Sequence, residues 1–226
     1  MGNILLKILD WSEVWALMFP LLVLSFRRNQ PASLRPIIIY LWLAFFINLS
    51  IDVIMAINIY SPDSDLSNNP LYNLHSVTRF ICFSYYFLNL SQASFVKYKK
   101  ALTVVSLIFV IINFSLFENF FNFDSFSGNL LATEAYLLLA FCMLYYLSEL
   151  KDDNKNLFNG PDFWVVTGLS IYVVINFFVF LFYLPMIYVD RTLAVNIWNV
   201  HNIAFIIFCL FITKAFYGPI RYKHSI

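Results

Sequence analysis

Residues 71–96, LYNLHSVTRFICFSYYFLNLSQASFV, decide the fold of this chain because they form a long and mostly apolar run. Such a run is close to the ~20 residues with which a helix crosses ~30 Å of hydrocarbon. Backbone N–H and C=O groups cannot stay unpaired in lipid, so a run of this kind predicts a helix. His75 and Arg79 near its start are four residues apart, and in a helix they share one face.

The composition indicates that the whole chain, and not only this segment, belongs in a lipid bilayer. Of the 226 residues, 61% are hydrophobic, 20% aromatic and only 12% charged, and this charged fraction is about half of that in an average soluble domain. We therefore expect a single transmembrane domain over residues 1–226. The net charge of +1 offers no basic face for phosphate groups, which excludes nucleic acid as a partner.

Seven apolar segments are long enough to be membrane helices, and turn-forming residues separate them. Alternating segments of ~10 residues, which a transmembrane β-barrel needs, do not occur. The sequence thus predicts an all-α fold, a polytopic seven-transmembrane-helix bundle. The fourth segment is the shortest, at ~17 residues. The predicted helices are 9–26, 36–60, 71–96, 101–117, 128–150, 162–184 and 194–217.

Lysine and arginine favour alternate connections between these segments, which predicts the orientation in the membrane. The opposite connections hold only Lys7 and Arg191, together with acidic residues. By the positive-inside rule the N-terminus lies outside and the C-terminus is cytoplasmic. We expect no removable signal peptide and no myristoylation site at the N-terminus. The basic set is Arg27, Arg28, Arg35, Lys97, Lys99, Lys100, Lys151, Lys155, Lys214, Arg221 and Lys223, and the acidic set of the opposite side is Asp63, Asp65, Glu118 and Asp124.

Five predicted helices carry an ionisable side chain at nearly the same height. At 1.5 Å per residue these side chains lie ~20–27 Å above the cytoplasmic ends of their helices, in the outer third of the bilayer. Charged groups in lipid face the bundle interior and find partners, which predicts a shared polar cavity open to the outside. The alternative is a set of interfacial side chains that reach the headgroups beside an aromatic belt. The five residues are Glu13, Asp52, Arg79, Glu134 and His201.

The candidate ligand-binding residues follow from this layer. His75 and His201 would hydrogen-bond the ligand and respond to pH, with Asn202 beside the second histidine. Arg79 would contact an anion, and Asp52 and Glu134 would be its counter-charges. We assign no catalytic residue and expect no cofactor, because no nucleophile motif or phosphate loop occurs among the few glycines.

Other functions remain as alternatives. His75, His201, Asp52 and Glu134 could together bind a metal in a membrane-embedded enzyme, and the two histidines could be the axial ligands of a b-type haem. The layer could also pair helices in a structural subunit of a larger membrane complex. Retinal is rejected, since Lys214 lies near the end of the last helix and the third helix has no carboxylate. The three cysteines, each inside an apolar run, are typical of packing residues.

Five stretches resemble a known group of proteins. They are RPIIIYLWLAFFINLSID (35–52), YNLHSVTRFICFSYYF (72–87), TEAYLLLAFCMLYY (133–146), FWVVTGLSIYVVINFFVF (163–180) and WNVHNIAFIIF (198–208). The chain resembles short seven-helix inner-membrane proteins of the Bacteroidetes. It is distantly similar to the seven-helix sensor modules of bacterial histidine kinases.

This resemblance implies a multi-pass protein of a bacterial inner membrane and a role as a sensor or interaction module, without an activity. No kinase follows in the sequence, so we expect the signal to pass to another membrane or cytoplasmic protein. The cytoplasmic loops, with their lysines and arginines, would contact that protein or anionic lipid of the bilayer.

Overall fold

The structure, a computed structural model, describes residues 2–61, 66–90, 95–151 and 160–218. These residues form helices and no strands, so the all-α prediction is confirmed. The helices are α1 Gly2–Asp10, α2 Ser12–Phe26, α3 Arg35–Tyr60, α4 Asn69–Asn89, α5 Val96–Ile112, α6 Gly128–Leu150, α7 Pro161–Val189 and α8 Arg191–Tyr217.

Five of these helices are long and apolar enough to cross a membrane: α3, α5, α6, α7 and α8. α5 reaches this length because a π-helical turn, Asn113–Phe117, continues it. α2 is apolar but has only 15 residues. α4 has 21 residues and is not among the five, since asparagine, histidine and arginine dilute its apolar side chains. The count of seven membrane helices stays a prediction.

Every predicted segment contains a helix, but several boundaries were wrong. The helix is interrupted at Trp11, which separates a short α1 from α2. One continuous helix over 9–26 was expected. The third helix ends at Asn89 and not at 96. Val96 instead begins α5, so the fourth span, Val96–Phe117, has 22 residues and is not unusually short.

α7 and α8 form the most extensive helix pair, and α6 packs on the other side of α7. α2 packs against α8 and α3, and α3 packs against α4. α5 touches α4 and α6 at the edge of the bundle. Buried aromatic rings fill the middle of the bundle: Tyr40, Phe83, Phe87, Phe141, Phe205 and Phe208.

The outer surface of the bundle is strongly apolar. Large hydrophobic side chains such as Phe46, Ile81 and Phe178 are more than half exposed on three different helices. A protein in water rarely exposes so much apolar surface, whereas lipid tails cover it without cost. The fold is therefore that of a membrane-spanning helical protein.

The two ends of the bundle differ in charge. The basic end comprises the end of α2, the start of α3, the start of α5 and the end of α8, with Arg27, Arg35, Lys97 and Lys214. The opposite end, where α2, α4, α6 and α8 begin, is called the cavity end. Asp63, Asp65, Lys155, Arg221 and Lys223, which contributed to the predicted orientation, lie outside the described residues.

Candidate functional site, a polar cavity at one end of the bundle

A cavity of about 580 Å³ opens at the cavity end between α2, α3, α4, α7 and α8. This volume is in the range of small-molecule sites in proteins. Its wall combines carboxylates, amides and aromatic rings. The lining residues that matter for its chemistry are Asp10, Glu13, Asp52, Asn69, Tyr72, Phe126, Tyr183, Arg191, Trp198 and Asn199.

Below the cavity, Arg79 of α4 and Glu134 of α6 form a buried ion pair. Arg79 Nε donates to Glu134 Oε1 at 2.5 Å and Nη2 donates to Oε2 at 2.7 Å, a bidentate geometry. The hydroxyl of Ser76 donates to the same carboxylate at 2.5 Å, and Arg79 Nη1 donates to the Tyr172 hydroxyl at 2.6 Å. Both charged side chains are 3% exposed, so each compensates the other's burial.

A second polar group joins α2, α7 and α8. His201 Nδ1 lies 2.5 Å from Asn176 Oδ1, and His201 Nε2 lies 2.8 Å from Glu13 Oε1. The amide of Asn176 is oriented by its Nδ2, which donates to the Tyr172 carbonyl at 2.8 Å. Because the oxygen of Asn176 can only accept, His201 Nδ1 carries a proton. A second proton then lies between Nε2 and Glu13. Its position gives either an imidazolium beside a carboxylate or a neutral ring beside a carboxylic acid.

His75 lies between these two groups but pairs with neither. Its Nε2 lies 3.4 Å from the Tyr40 hydroxyl, and its ring stacks on Tyr40 with centroids 6.0 Å apart. A small pocket of about 10 Å³ is lined by His75 and Arg79 together with Glu13 and His201. That volume is near the lower limit for one water molecule. The polar layer is thus nearly continuous from the large cavity to Arg79.

Asn202 and Asp52 have positions of their own. Asn202 Nδ2 donates to the Leu9 carbonyl at 3.0 Å and ties α8 to α1. Asp52 lines the large cavity, is half-buried, and its Oδ2 has no hydrogen-bond partner within the described part of the chain. Of the two predicted counter-charges of Arg79, Glu134 is therefore the one that binds it.

The surroundings of Arg79, the predicted anion contact, differ from those expected. Nε, Nη1 and Nη2 of Arg79 each donate to Glu134 or Tyr172, so an anion would have to displace a buried carboxylate. Arg191, at the start of α8, lines the large cavity and is exposed. It is the basic side chain that the described lining offers to a ligand.

Several residues of the site were not predicted from the sequence. Ser76 is three residues before Arg79 and shares its helix face, a spacing that could have identified it. Asp10 lies outside the predicted polar layer, and Phe126 lies in a connection between helices. The estimate of height along a helix therefore could not identify either residue. Arg191 reaches the cavity because α8 begins earlier than predicted, whereas Tyr183 lies inside the predicted helix 162–184 and no feature of the sequence marked it.

Candidate metal ligands do not assemble. Across the described ranges, no three His, Cys, Asp or Glu side chains lie close enough together to hold a metal ion. Within the set His75, His201, Asp52 and Glu134, the glutamate binds Arg79 and His201 binds Glu13.

Fold and site together define a multi-span, all-helical membrane protein with a polar and aromatic cavity at one end. Comparison with protein-family models, with curated proteins and with solved structures finds no match to this chain. The resemblance to the Bacteroidetes proteins and to kinase sensor modules therefore stays a prediction.

Proposed function

We propose that this chain is a seven-helix bacterial inner-membrane protein, with its N-terminus outside, that acts as a sensor or interaction module. Its ligand or partner binds in the large cavity, which faces outward. The cavity of about 580 Å³ is the observation that carries the proposal. Lysine and arginine are concentrated at the other end of the bundle, and positively charged connections stay in the cytoplasm.

The shape of the site supports a ligand-binding role. Ligand sites are concave, mostly apolar, and contain a few convergent polar groups. Here aromatic rings form one wall, while Glu13 and Asp52 supply carboxylates from two other helices. α2, α3, α4, α7 and α8 all contribute, so a ligand would bridge helices that are distant in sequence. Such bridging is a means by which binding can alter the packing of a bundle.

The signal would leave the protein at the basic end. Arg27 Nη1 donates to the carbonyls of Tyr217 and Gly218 there, which connects the end of α2 to the end of α8. These two helices also carry Glu13 and His201 at the cavity end. A shift of α2 against α8 on binding would therefore reach the surface that we assign to a partner protein or to anionic lipid.

A ligand screen with a blocked cavity tests the proposal. Val195 lines the cavity and is 49% exposed, whereas Val200 on the same helix is 46% exposed and does not line it. Val195→Trp should fill the cavity, and Val200→Trp is the matched control. Purified protein in detergent is screened by thermal unfolding against small soluble molecules of positive, negative and zero charge.

We expect at least one compound to raise the unfolding temperature of the wild type and of V200W but not of V195W. If no compound does so, or if V195W retains the full shift, the cavity is not a ligand site. In the second case a binding site elsewhere replaces the proposed one.

A further inference from the structure

Four aromatic rings, here called the four-ring wall, form one side of the cavity: Tyr72, Phe126, Tyr183 and Trp198. Trp198 is at their centre, with ring centroids 4.7 Å from Tyr183, 5.6 Å from Tyr72 and 6.0 Å from Phe126. The rings come from α4, α7, α8 and the connection before α6. These rings pack against one another and line the cavity, and aromatic rings attract ammonium ions because their faces carry partial negative charge.

Three carboxyl side chains lie at different depths of the same cavity. Asp10 is exposed at the rim, Asp52 is half-buried, and Glu13, at 6% exposure, lines both this cavity and the small pocket beside His75. Glu13 shares a proton with His201, but Asp52 Oδ2 has no hydrogen-bond partner among the described residues. That oxygen is itself closed to solvent, so a cation in the cavity would balance the charge of the half-buried Asp52 carboxylate from beside it rather than through a bond to Oδ2.

The balance of charge separates a cation from other ligands. Arg191 is the one basic side chain of the described lining, against Asp10, Asp52 and Glu13, of which Glu13 is already compensated by His201. An anion in the cavity would be repelled by these carboxylates. It could not bind Arg79 instead, because Glu134 already holds that guanidinium below the cavity. A metal ion would find no group of three ligands in the described ranges and would gain little from aromatic rings.

We propose that the cavity binds an organic ammonium compound, that is, an amine or quaternary ammonium group on an apolar or aromatic body. The inference rests on the proposed ligand-binding function and specifies its ligand class. The ammonium group lies between the four-ring wall and Asp52, and the apolar body fills the remainder of the cavity. Asp10 and Asp52 attract the cation from the aqueous side, so binding weakens as salt screens them.

The test measures binding to the full chain in nanodiscs of uncharged lipid. The probe is benzyltrimethylammonium, its neutral comparator is the isostere in which carbon replaces the ammonium nitrogen, and the anionic comparator is benzoate. Asp52→Asn removes one charge from the cavity. Asp124→Asn, an exposed residue of the same end that does not line the cavity, is the matched control.

We expect the ammonium probe to bind the wild type and D124N, and the two comparators to bind more than tenfold more weakly. D52N should weaken binding of the probe roughly tenfold, the loss expected for one nearby charge in a partly screened site. Should D52N fail to fold, the salt dependence of the wild type decides, because binding of a cation by carboxylates must weaken with ionic strength.

The opposite results overturn the inference in distinguishable ways. Equal binding of the neutral isostere, without dependence on salt or on Asp52, makes the cavity an apolar site, and preferred binding of benzoate makes Arg191 the anchor. In both cases the ligand class is wrong while V195W still blocks binding, so the proposed function stands. If none of the three probes binds, the ammonium class is rejected, and the wider screen decides the function separately.

Discussion

At the scale of the residue, the buried ion pair between Arg79 and Glu134 carries a large desolvation cost. Both side chains are removed from water and lie among apolar residues in the body of the bundle. The desolvation of each charge costs several kcal/mol, about what a well-aligned partner returns. The bidentate contact, the hydroxyl of Ser76 and that of Tyr172 satisfy most of their hydrogen-bonding groups. The pair therefore holds α4 against α6, with α7 attached through Tyr172.

Removal of one member of this pair should destabilise the protein strongly. Glu134→Gln leaves the buried guanidinium of Arg79 without a charge partner, and we expect a loss of about 3–5 kcal/mol in the free energy of unfolding. The measurement is unfolding by SDS in mild detergent. The matched control is the double variant Arg79→Leu with Glu134→Leu, which removes both charges and should be less destabilised than E134Q. A double variant that is destabilised as much as E134Q, or more, would contradict this account of the pair.

His201 should carry its proton on Nδ1. The oxygen of Asn176 accepts from this nitrogen, and the Tyr172 carbonyl fixes the orientation of that amide. Nitrogen-15 NMR of histidine-labelled protein should therefore show a protonated Nδ1, with Nε2 in a hydrogen bond with Glu13. The chain has three histidines, so His201→Gln assigns the signal. An unprotonated Nδ1 would mean that the side-chain amide of Asn176 is rotated by half a turn, so that its NH2 group donates to the ring.

The sequence predicted the height of the polar residues but not their partners. The helical rise placed Glu13, Arg79, Glu134 and His201 in one layer, and two pairs of that layer are in contact. The rise says nothing about which helices are neighbours, because that depends on how all the helices pack. Asp52 was therefore assigned to Arg79, although it lies along the large cavity.

At the scale of the element, α7 and α8 approach each other closely at Gly168. A Cβ added at Gly168 would lie 2.5 Å from Phe211 Cβ and 3.4 Å from the Phe208 carbonyl. The first contact is too short for any pair of carbon atoms and cannot be relieved by a side-chain rotation. Small residues at such crossings allow helix backbones to approach within membranes. Gly168 thus permits the most extensive interface of the bundle.

Gly168→Ala should separate α7 from α8. We expect a loss of roughly 1–3 kcal/mol in the free energy of unfolding, as for other overpacked interiors. The matched control is Gly218→Ala, where the added Cβ would meet no atom closer than 3.5 Å and the backbone φ is negative. SDS unfolding of both variants measures the difference. Equal stability of the two variants would show that the interface adapts without cost.

The short helix α1 shows why element boundaries were hard to predict. No glycine or proline occurs near Trp11, so the segment 9–26 was predicted as one helix. Tertiary contacts mark the break instead: Trp15 Nε1 donates to the Ile8 carbonyl, and Asn202 Nδ2 donates to the Leu9 carbonyl. These contacts satisfy carbonyls at the end of α1. A donor nearly two hundred positions along the chain cannot be recognised in a local pattern.

At the scale of the whole molecule, the polar groups of the candidate site and the apolar packing occupy different levels. The ion pair, the His201 group and the large cavity lie toward one end, and aromatic rings such as Phe83, Phe141 and Phe208 fill the level below. No hydrogen-bonded chain of charged groups runs through that aromatic level in the described residues. The architecture suits a site that is accessible from one side and closed toward the other.

The orientation of the molecule can be tested with two introduced cysteines. Three helices, α3, α4 and α5, separate the first connection from the loop before α6. If all three cross the membrane, these connections lie on opposite sides. Asn29→Cys lies next to the basic residues of the first connection and should be cytoplasmic, whereas Asp124→Cys should face outward. A membrane-impermeant maleimide applied to intact cells should therefore label D124C at once and N29C only after permeabilisation.

The result also decides whether α4 crosses the membrane, and the count of seven depends on this crossing and on that of α2. Asn29 and Asp124 are exposed, whereas Cys82, Cys142 and Cys209 are buried, so the protein without an added cysteine is the control for background labelling. An α4 that returned to the side from which it entered would place both introduced cysteines on one side. Labelling of both in intact cells, or of neither, would then exclude the seven-helix topology, because an odd number of crossings must separate the two positions. Labelling of N29C alone would keep three crossings between the two positions but turn the cavity toward the cytoplasm.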